Sequence, residues 1–394
     1  MIKVLSLFDG ISCGMVALER AGIPVERYVA YEIDKYAIKV SQKNYPQIEH
    51  CGNVFNVDYT RYKGFDLLIG GSPCTYWSIA NNNRETTPDG EGGKLFMEYV
   101  RALKESGCRY FLYENNYSIH KNIKAFISEQ LEVQPIMINS TLVSAQQRKR
   151  CYWTNIPNVA QPKDKGILLK DIIGSGIAER DKSRCFTASG GRTTTREFFG
   201  HSQGQMIAEP VIIQRGHGFN KGGIKSDKSP TLTANGSWQD NNHIAEPILL
   251  NTKNGKSQTI KATSSNVSIA NITTKGNHGA TGVAIMVNDS EKSIKQNIYS
   301  VKNGEISFIP KYGIAKGQEK TYKVNLPDGK YIIRKLTPIE AERLQTLPDN
   351  YTEGISNTQR YKCIGNGWTV DVIAHILKNL HKKKTAENGN SQTV

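Results

Sequence analysis

Buried strands and helices alternate over the first 155 residues. Because strands that alternate with helices form parallel sheets covered on both faces, this order predicts an α/β fold with a mostly parallel sheet. Apolar runs typical of strands occupy 3–8, 27–33, 65–70, 110–115 and 150–156, and helix-like segments occupy 12–21, 35–44 and 94–107.

The middle of the chain has a different composition. Residues 175–320 are rich in Gly, Ser, Thr and Asn, with short β-like runs and no amphipathic helix. A small, irregular β-rich domain is the prediction, and a low-complexity loop region is the alternative that the pattern leaves open.

Helical pattern returns near the end of the chain. Thr337 can cap a helix whose first position is Pro338, and Glu340 completes a capping box. A last helix is predicted over 369–382, and the polar tail that follows is expected to be disordered. The predicted domains are an α/β part at 1–160, a β-rich domain at 161–333, a return to the first domain at 334–382 and a tail at 383–394.

The charge of the chain favours a polyanionic partner. The 394 residues include 51 Lys and Arg against 36 Asp and Glu, a formal net charge of +15. Residues 155–330 hold 24 of the basic residues against 14 acidic ones, so the excess concentrates in the middle. A basic surface of this kind is typical of nucleic-acid binders.

Cysteine spacing and hydropathy indicate the compartment. The seven cysteines form no CxxC pair or other metal-ligand spacing, which argues against a metal site and against a disulfide framework. The first residues lack the pattern of a signal peptide, and no apolar stretch approaches the ~18 residues of a membrane span. A cytoplasmic protein with no membrane partner is therefore expected.

The first predicted strand ends in "LFDGISCGM", a turn that favours a ligand. Gly10 and Gly14 let a ligand approach the backbone, and a helix N-terminus beside it offers free N–H groups. Glu32 ends the second strand, where a carboxylate commonly accepts hydrogen bonds from ribose. Together they favour a nucleoside-like cofactor. A simple tight turn and a surface carboxylate remain the alternative.

Cys74 follows Pro73 just beyond the apolar run "FDLLI". A packing cysteine usually lies within such a run, whereas this one lies at the strand end that forms the active edge of α/β sheets. We therefore interpret Cys74 as a nucleophile that needs a cationic neighbour or a base, because a free thiol has a pKa of about 8.5. An inert packing thiol is the alternative.

Other strand ends carry charged side chains. Glu114 and Asn115 follow the strand "YFLY", where a carboxyl group can act as an acid near neutrality. Arg148 and Arg150 stand two apart, so an extended strand would present both guanidinium groups to one site. The alternatives are that Glu114 and Asn115 only cap the end of a strand, and that the two arginines lie on a solvated edge strand.

Taken in order, these segments resemble DNA cytosine-C5 methyltransferases. The matching motifs are "SLFDGISCG", "YEID", "GGSPC", "ENN", "QQRKR", "RKLTPIEAERLQTLP" and "GNGWTV", which cover nearly all of 1–155 and 334–380. The detail "SLFDGI…GGSPC…SIAN" is similar to the animal de novo enzymes, whereas the length and the variable middle resemble a bacterial or phage enzyme.

The resemblance implies a class I methyltransferase (Rossmann-like) sheet with helices on both faces, plus a smaller β-rich target-recognition domain. It also implies S-adenosyl-L-methionine as cofactor, S-adenosyl-L-homocysteine as product, no metal, and double-stranded DNA as partner. The implied catalytic residues are Cys74, Glu114, Asn115, Arg148 and Arg150. The implied cofactor residues are Phe8, Asp9, Gly10, Ile11, Ser12, Cys13, Gly14, Glu32, Ile33, Asn53, Val54, Ser72, Asn366, Gly367 and Trp368.

By this resemblance, a flipped cytosine would be attacked at C6 by Cys74 and methylated at C5. The chain departs from the family pattern without losing a reacting group. Ser12 and Cys13 replace glycines, Asn53 replaces an aspartate, and the residues after Pro-Cys and Glu-Asn are Thr75 and Asn116. Thr75 leaves open how the loop fills the gap in the duplex.

Three other functions remain open from the sequence. An RNA cytosine-C5 methyltransferase would use the same chemistry, and a non-catalytic DNA-binding regulator would use the same fold. A cysteine hydrolase would need a histidine partner, and no histidine stands in a recognisable site motif. The recognised DNA sequence and a cognate restriction endonuclease stay open, and a monomer is expected.

Overall fold

The computed structural model describes residues 1–79, 81, 83–190, 206–210, 212–214, 223–225, 242–244, 298–308 and 318–380. The chain divides into two compact units. The first contains Met1–Ile172, Lys182–Arg192 and Thr337–Val394, and the second contains Ile173–Asp181 and Thr193–Leu336. The domain boundaries expected from the sequence stay a prediction, and the tail at 383–394 lies outside the described residues.

A seven-stranded sheet forms the centre of the first unit. Its strands are β1 (Ile2–Leu7), β2 (Val25–Tyr31), β3 (Glu49–His50), β4 (Leu67–Gly70), β5 (Tyr110–Asn116), β6 (Ile136–Asn139) and β7 (Lys149–Thr154). They lie in the order β3-β2-β1-β4-β5-β7-β6. The pairs among β1 to β5 are parallel, whereas β7 runs antiparallel to both β5 and β6. The predicted α/β class is confirmed.

Helices cover both faces of this sheet. They are α1 (Cys13–Arg20), α2 (Lys35–Asn44), α3 (Glu91–Ser106), α4 (Lys121–Leu131), α5 (Pro338–Leu344), α6 (Asn357–Asn366) and α7 (Val370–Leu377). Successive strand residues point to opposite faces, so the fully buried Val4 packs in one apolar cluster and its neighbour Leu5 in the other. This double burial explains why the strands read as continuous apolar runs.

The capping box predicted before α5 is present. The backbone N–H of Glu340 donates to Oγ1 of Thr337 at 3.2 Å, and the Thr337 N–H donates to the Glu340 carboxylate at 2.7 Å. Helices α4 and α6 and strand β6 were absent from the sequence prediction. The last helix is described over Val370–Leu377, and its predicted end at 382 lies outside the described residues.

The second unit is β-rich, as predicted, and its strands pair antiparallel. Its strands are β8 (Ile177–Ala178), β9 (Met206–Pro210), β10 (Ile212–Gln214), β11 (Gly223–Lys225), β12 (Asn242–Ile244), β13 (Ile298–Lys302), β14 (Glu305–Phe308), β15 (Lys320–Lys323) and β16 (Gly329–Lys335). One sheet has the order β15-β14-β13-β16-β9-β8 and the other β11-β10-β12. A membrane-spanning helix would need a longer apolar run than any helix in the described part of the chain offers.

Candidate active site

Cys74 lies just beyond the carboxyl end of β4. Gly71, Ser72 and Pro73 separate it from the strand, and Cys74 begins a single 3-10 turn. Gly71 packs so closely on β5 that a Cβ there would lie 2.8 Å from the backbone oxygen of Glu114. Glycine therefore lets the ends of β4 and β5 approach each other, which puts Cys74 and Glu114 at one edge of the sheet.

The electrostatic surroundings of Cys74 pull in two directions. Burial raises the pKa of the thiol above its ordinary value, and the charge of Glu114 raises it further. The guanidinium groups of Arg150 and Arg148 lower it, as does a hydrogen bond from the Asn116 side chain. The net effect is that the pKa of the Cys74 thiol lies above its ordinary value.

Glu114 is held through both of its carboxylate oxygens. Oε1 lies 2.8 Å from Nε of Arg150, and the two side chains are only 13% and 12% exposed. Oε2 accepts a hydrogen bond from Nε1 of Trp368 at 3.0 Å. Partial shielding from solvent strengthens the ion pair relative to a surface pair. The carboxyl group is thus fixed in orientation beside Cys74.

Asn115 is buried beneath this edge. Its Nδ2 donates to the backbone oxygen of Ser72 at 3.4 Å and to the hydroxyl of Tyr113 at 3.3 Å. The hydroxyls of Ser72 and Tyr113 are themselves 2.6 Å apart. Asn115 therefore ties the segment that precedes Cys74 to β5.

Arg148 has a different set of partners from Arg150. The sequence predicted that both would extend from one strand, but β7 begins one residue after Arg148. The buried Arg148 guanidinium donates to the carbonyl oxygens of Phe186, Gly365 and Gly367 at 2.8, 3.1 and 2.9 Å. It joins two backbone segments, whereas Arg150 contacts the Glu114 carboxylate.

Cys185 is a neighbour of both arginines that sequence reasoning missed. Its sulfur lies 3.5 Å from Nη1 of Arg148 and 3.9 Å from Nη2 of Arg150. Burial opposes ionisation, but the two guanidinium charges outweigh it and lower the pKa of Cys185. Its surroundings in "KSRCFTAS" carry no strand-end signal like that of Cys74.

The turn after β1 has an unusual backbone. Phe8, Gly10 and Ser12 all adopt positive φ, at 58°, 61° and 58°. Glu32, directly after β2, accepts a hydrogen bond from the Gly10 N–H at 2.8 Å and from the two N–H groups that follow it in the chain. The turn and the acidic residue predicted to share a cofactor are thus in direct contact.

Side chains beneath this turn compensate for the strain at Ser12. Its hydroxyl donates to Asp9 and lies 2.6 Å from the hydroxyl of Ser41. Asp9 also accepts hydrogen bonds from Ser6 and Tyr28, both at 2.6 Å. Burial raises the pKa of Asp9, and these hydrogen bonds oppose the rise. The serine that replaces a family glycine is held by its own side chain.

The other residues assigned to the cofactor differ in exposure. Gly14 packs so tightly that a Cβ would lie 2.3 Å from Cδ1 of Ile69. Four of these residues have buried side chains, so only their backbone atoms can face a ligand in this arrangement. They are Ile11, Cys13, Val54 and Ser72. Exposed side chains belong to Ile33, Asn53 and Asn366, whereas Gly367 and Trp368 are partly exposed.

Comparisons with known proteins agree with these motifs. A family model described as C-5 cytosine-specific DNA methylase matches residues 2–382. The orphan methyltransferase M.SPRI of Bacillus phage SPR is 28% identical over 440 residues, covering 96% of this chain and 97% of that protein. The orphan methyltransferase M.Rho11sI of Bacillus phage rho11s is 26% identical over 505 residues, with the same shares covered.

Solved structures share the fold. The Entamoeba histolytica methyltransferase EhMeth matches with a TM-score of 0.54 at 14% identity, over 98% of this chain and 99% of that one. A Spodoptera frugiperda DNMT2 mutant matches with a TM-score of 0.50 at 15% identity, over 96% and 99%. Because the family model spans nearly the whole sequence, the chain belongs to the C-5 cytosine-specific DNA methylase family.

Proposed function

We propose that this protein methylates C5 of cytosine in duplex DNA, using S-adenosyl-L-methionine and releasing S-adenosyl-L-homocysteine. The observation that carries the proposal is the cluster in which Glu114, held 2.8 Å from Arg150, lies at the same sheet edge as Cys74. A nucleophile and a fixed carboxyl group are what covalent attack on a pyrimidine ring needs. Membership of the DNA methylase family supports the choice of substrate.

The turn after β1 fits the nucleoside part of this cofactor. A Cβ at Gly10 would meet no atom within 4 Å, so the space beside the turn is open. Glu32 provides carboxylate oxygens there, and the 73% exposed Ile33 provides apolar surface at the same strand end. When bound, the cofactor supplies an electrophilic methyl group. We assign its binding to the turn from Phe8 to Gly14, to Glu32, Ile33, Asn53, Val54 and Ser72, and to Asn366, Gly367 and Trp368.

The residues at the sheet edge then perform the chemistry on the base. Cys74 loses its thiol proton to solvent and adds to C6 as the thiolate, and the protonated carboxyl group of Glu114 gives its proton to N3, which takes up the charge that the addition pushes into the ring. This makes C5 nucleophilic. After C5 carries the methyl group, loss of the C5 proton to water expels Cys74 as the thiolate, N3 returns its proton to Glu114, and the aromatic ring is restored. Asn115 holds the segment that precedes Cys74. Arg148 holds nearby backbone carbonyls, and Arg150 holds the carboxylate of Glu114.

Duplex DNA is the proposed macromolecular partner. A cytosine within a duplex must leave the stack to reach Cys74, at a cost of a few kcal/mol. The excess of basic residues at 155–330 would contact phosphates, while polar side chains there would read base edges. We place the protein in the cytoplasm of a bacterial or phage-infected cell, as a monomer. The relatives named orphan methyltransferases support a role without a cognate restriction endonuclease.

The test is incubation of the protein with tritiated S-adenosyl-L-methionine and either mixed-sequence duplex DNA or RNA, followed by bisulfite sequencing. Incorporation into DNA at discrete cytosines is the expected result, and it also identifies the target sequence. Incorporation into RNA alone would replace the proposal with RNA methylation. Binding of DNA without incorporation into either substrate would indicate a non-catalytic regulator.

A further inference from the structure

Trp368 brings an indole N–H to the catalytic carboxylate from a distant part of the chain. Its Nε1 donates to Oε2 of Glu114 at 3.0 Å, across 254 residues of sequence. The opposite oxygen of Glu114 is occupied by Arg150. A carboxylate with one donor can turn about its last bond, whereas donors on both oxygens fix its plane. A carboxylate oxygen that accepts one hydrogen bond retains a second lone pair for a substrate.

The segment that presents Trp368 is itself firmly held. Arg148 binds the carbonyl oxygens of Gly365 and Gly367. The side-chain amide of the buried Gln345 donates to the carbonyl oxygens of Gly367 and Ile364, at 3.4 and 3.0 Å. Because this backbone is fixed from two sides, the indole is placed by the fold and not by Glu114 alone.

The same segment touches the turn assigned to the cofactor. The backbone N–H of Trp368 hydrogen-bonds the buried thiol of Cys13, and a Cβ on Gly367 would lie 3.2 Å from that sulfur. Trp368 therefore contacts the cofactor turn through its backbone and the catalytic carboxylate through its side chain. It is a physical link between the two halves of the reaction site.

We propose that Trp368 is a positioning residue for Glu114, which holds the carboxyl group in the orientation that N3 of the cytosine requires. This inference rests on the proposed function, and it gives the indole a task beyond cofactor contact. Loss of the N–H, with an aromatic side chain retained, should slow the reaction without weakening the binding of the cofactor. A misplaced catalytic group can cost about 100-fold in rate.

The experiment compares Trp368→Phe, Trp368→His and the control Trp153→Phe. Trp153 is buried and its Nε1 donates at 2.9 Å to Ser128, outside the reaction site, so its variant loses an indole hydrogen bond elsewhere. Each variant is measured for kcat and KM with duplex DNA, for its dissociation constant for S-adenosyl-L-homocysteine without DNA, and for Tm.

For Trp368→Phe, we expect kcat to fall about 10-fold to 100-fold while KM for DNA and the dissociation constant stay within about threefold. Trp368→His, which keeps an N–H donor, should be faster than Trp368→Phe, and Trp153→Phe should match the wild type. If Trp368→Phe does not fold, Trp368→His alone must show a lower kcat with an unchanged dissociation constant.

Two results would overturn the inference. A kcat within twofold of the wild type would show that Glu114 needs no second donor. A loss of cofactor affinity as large as the loss of kcat would make Trp368 a cofactor-binding residue only. A wild-type protein that methylates no DNA would instead defeat the proposed function, so the two failures are distinguishable.

Discussion

Nε of Arg150 lies 2.8 Å from Oε1 of Glu114 across the antiparallel pair β5–β7. The register places Arg150 opposite Asn116, two residues beyond Glu114. Residues two apart on a strand share a face, and so do directly opposed residues on neighbouring strands. Glu114, Asn116 and Arg150 therefore lie on one face, which is the face that Cys74 adjoins.

Arg150→Lys tests the fixed ion pair. A lysine keeps the charge but lacks the planar donor that contacts Oε1, so we expect kcat for DNA methylation to fall about 100-fold. Arg27→Lys is the matched control, because Arg27 pairs with Glu49 at 2.7 Å on the exposed side of β2. Equal activity of both variants would show that the geometry of Arg150 does not matter.

Asn116→Val removes a side-chain donor and tests the hydrogen bond to Cys74. That hydrogen bond lowers the pKa of a thiol that burial has already raised. Without it, the pKa of Cys74 rises, and a reaction that needs the thiolate shifts its acid limb to higher pH. A profile of kcat/KM against pH checks this. A limb that stays in place, or moves to lower pH, contradicts the account.

Ser12 offers a test of strain in the cofactor turn. Ser12→Ala keeps the left-handed backbone but loses the hydrogen bonds to Asp9 and Ser41, so the free energy of unfolding should fall by about 1–3 kcal/mol. Ser12→Gly loses the same bonds but adopts this φ freely and should lose less. Urea denaturation measures both. A glycine variant less stable than the alanine variant would refute the strain argument.

Arg360→Leu tests a buried ion pair that supports the return of the chain to the first unit. Glu342 is fully buried and accepts from Arg360 at 2.9 Å. Removal of the arginine leaves that carboxylate without its cation, which should lower the free energy of unfolding by about 3–5 kcal/mol. Lys43→Met is the control. Lys43 pairs with Glu353 at 3.5 Å on the surface, and its loss should change stability by less than about 1 kcal/mol.

The sequence could predict those residues of the site that lie at the ends of strands. Cys74, Glu114 and Glu32 each follow an apolar run, and neighbouring parallel strands bring such ends to one edge. The strong apolar runs also predicted where β1, β2, β4, β5 and β7 lie along the chain. Helix α4 was missed although its buried Ile123, Ile127 and Leu131 repeat every four residues.

Contacts made between distant segments could not be predicted. The hydrogen bond of Trp368 to Glu114 and the approach of Cys185 to Arg150 depend on how α6, the segment 182–190 and β7 pack together. No local periodicity encodes such packing. Arg148 shows the same limit, because its spacing from Arg150 predicted that both guanidinium groups face one site but not that Arg148 binds backbone carbonyls of distant segments.

The most direct test of the central claim is to trap the covalent intermediate. Duplex DNA that carries 5-fluorocytosine at the methylated site blocks release of the enzyme, because fluorine cannot leave C5 as a proton does. After incubation with S-adenosyl-L-methionine, digestion and mass spectrometry locate the adduct. We predict an adduct on the peptide that contains Cys74 and none with Cys74→Ser, which should also have no methyl transfer. An adduct on Cys185, or near-normal methylation by Cys74→Ser, would contradict the mechanism.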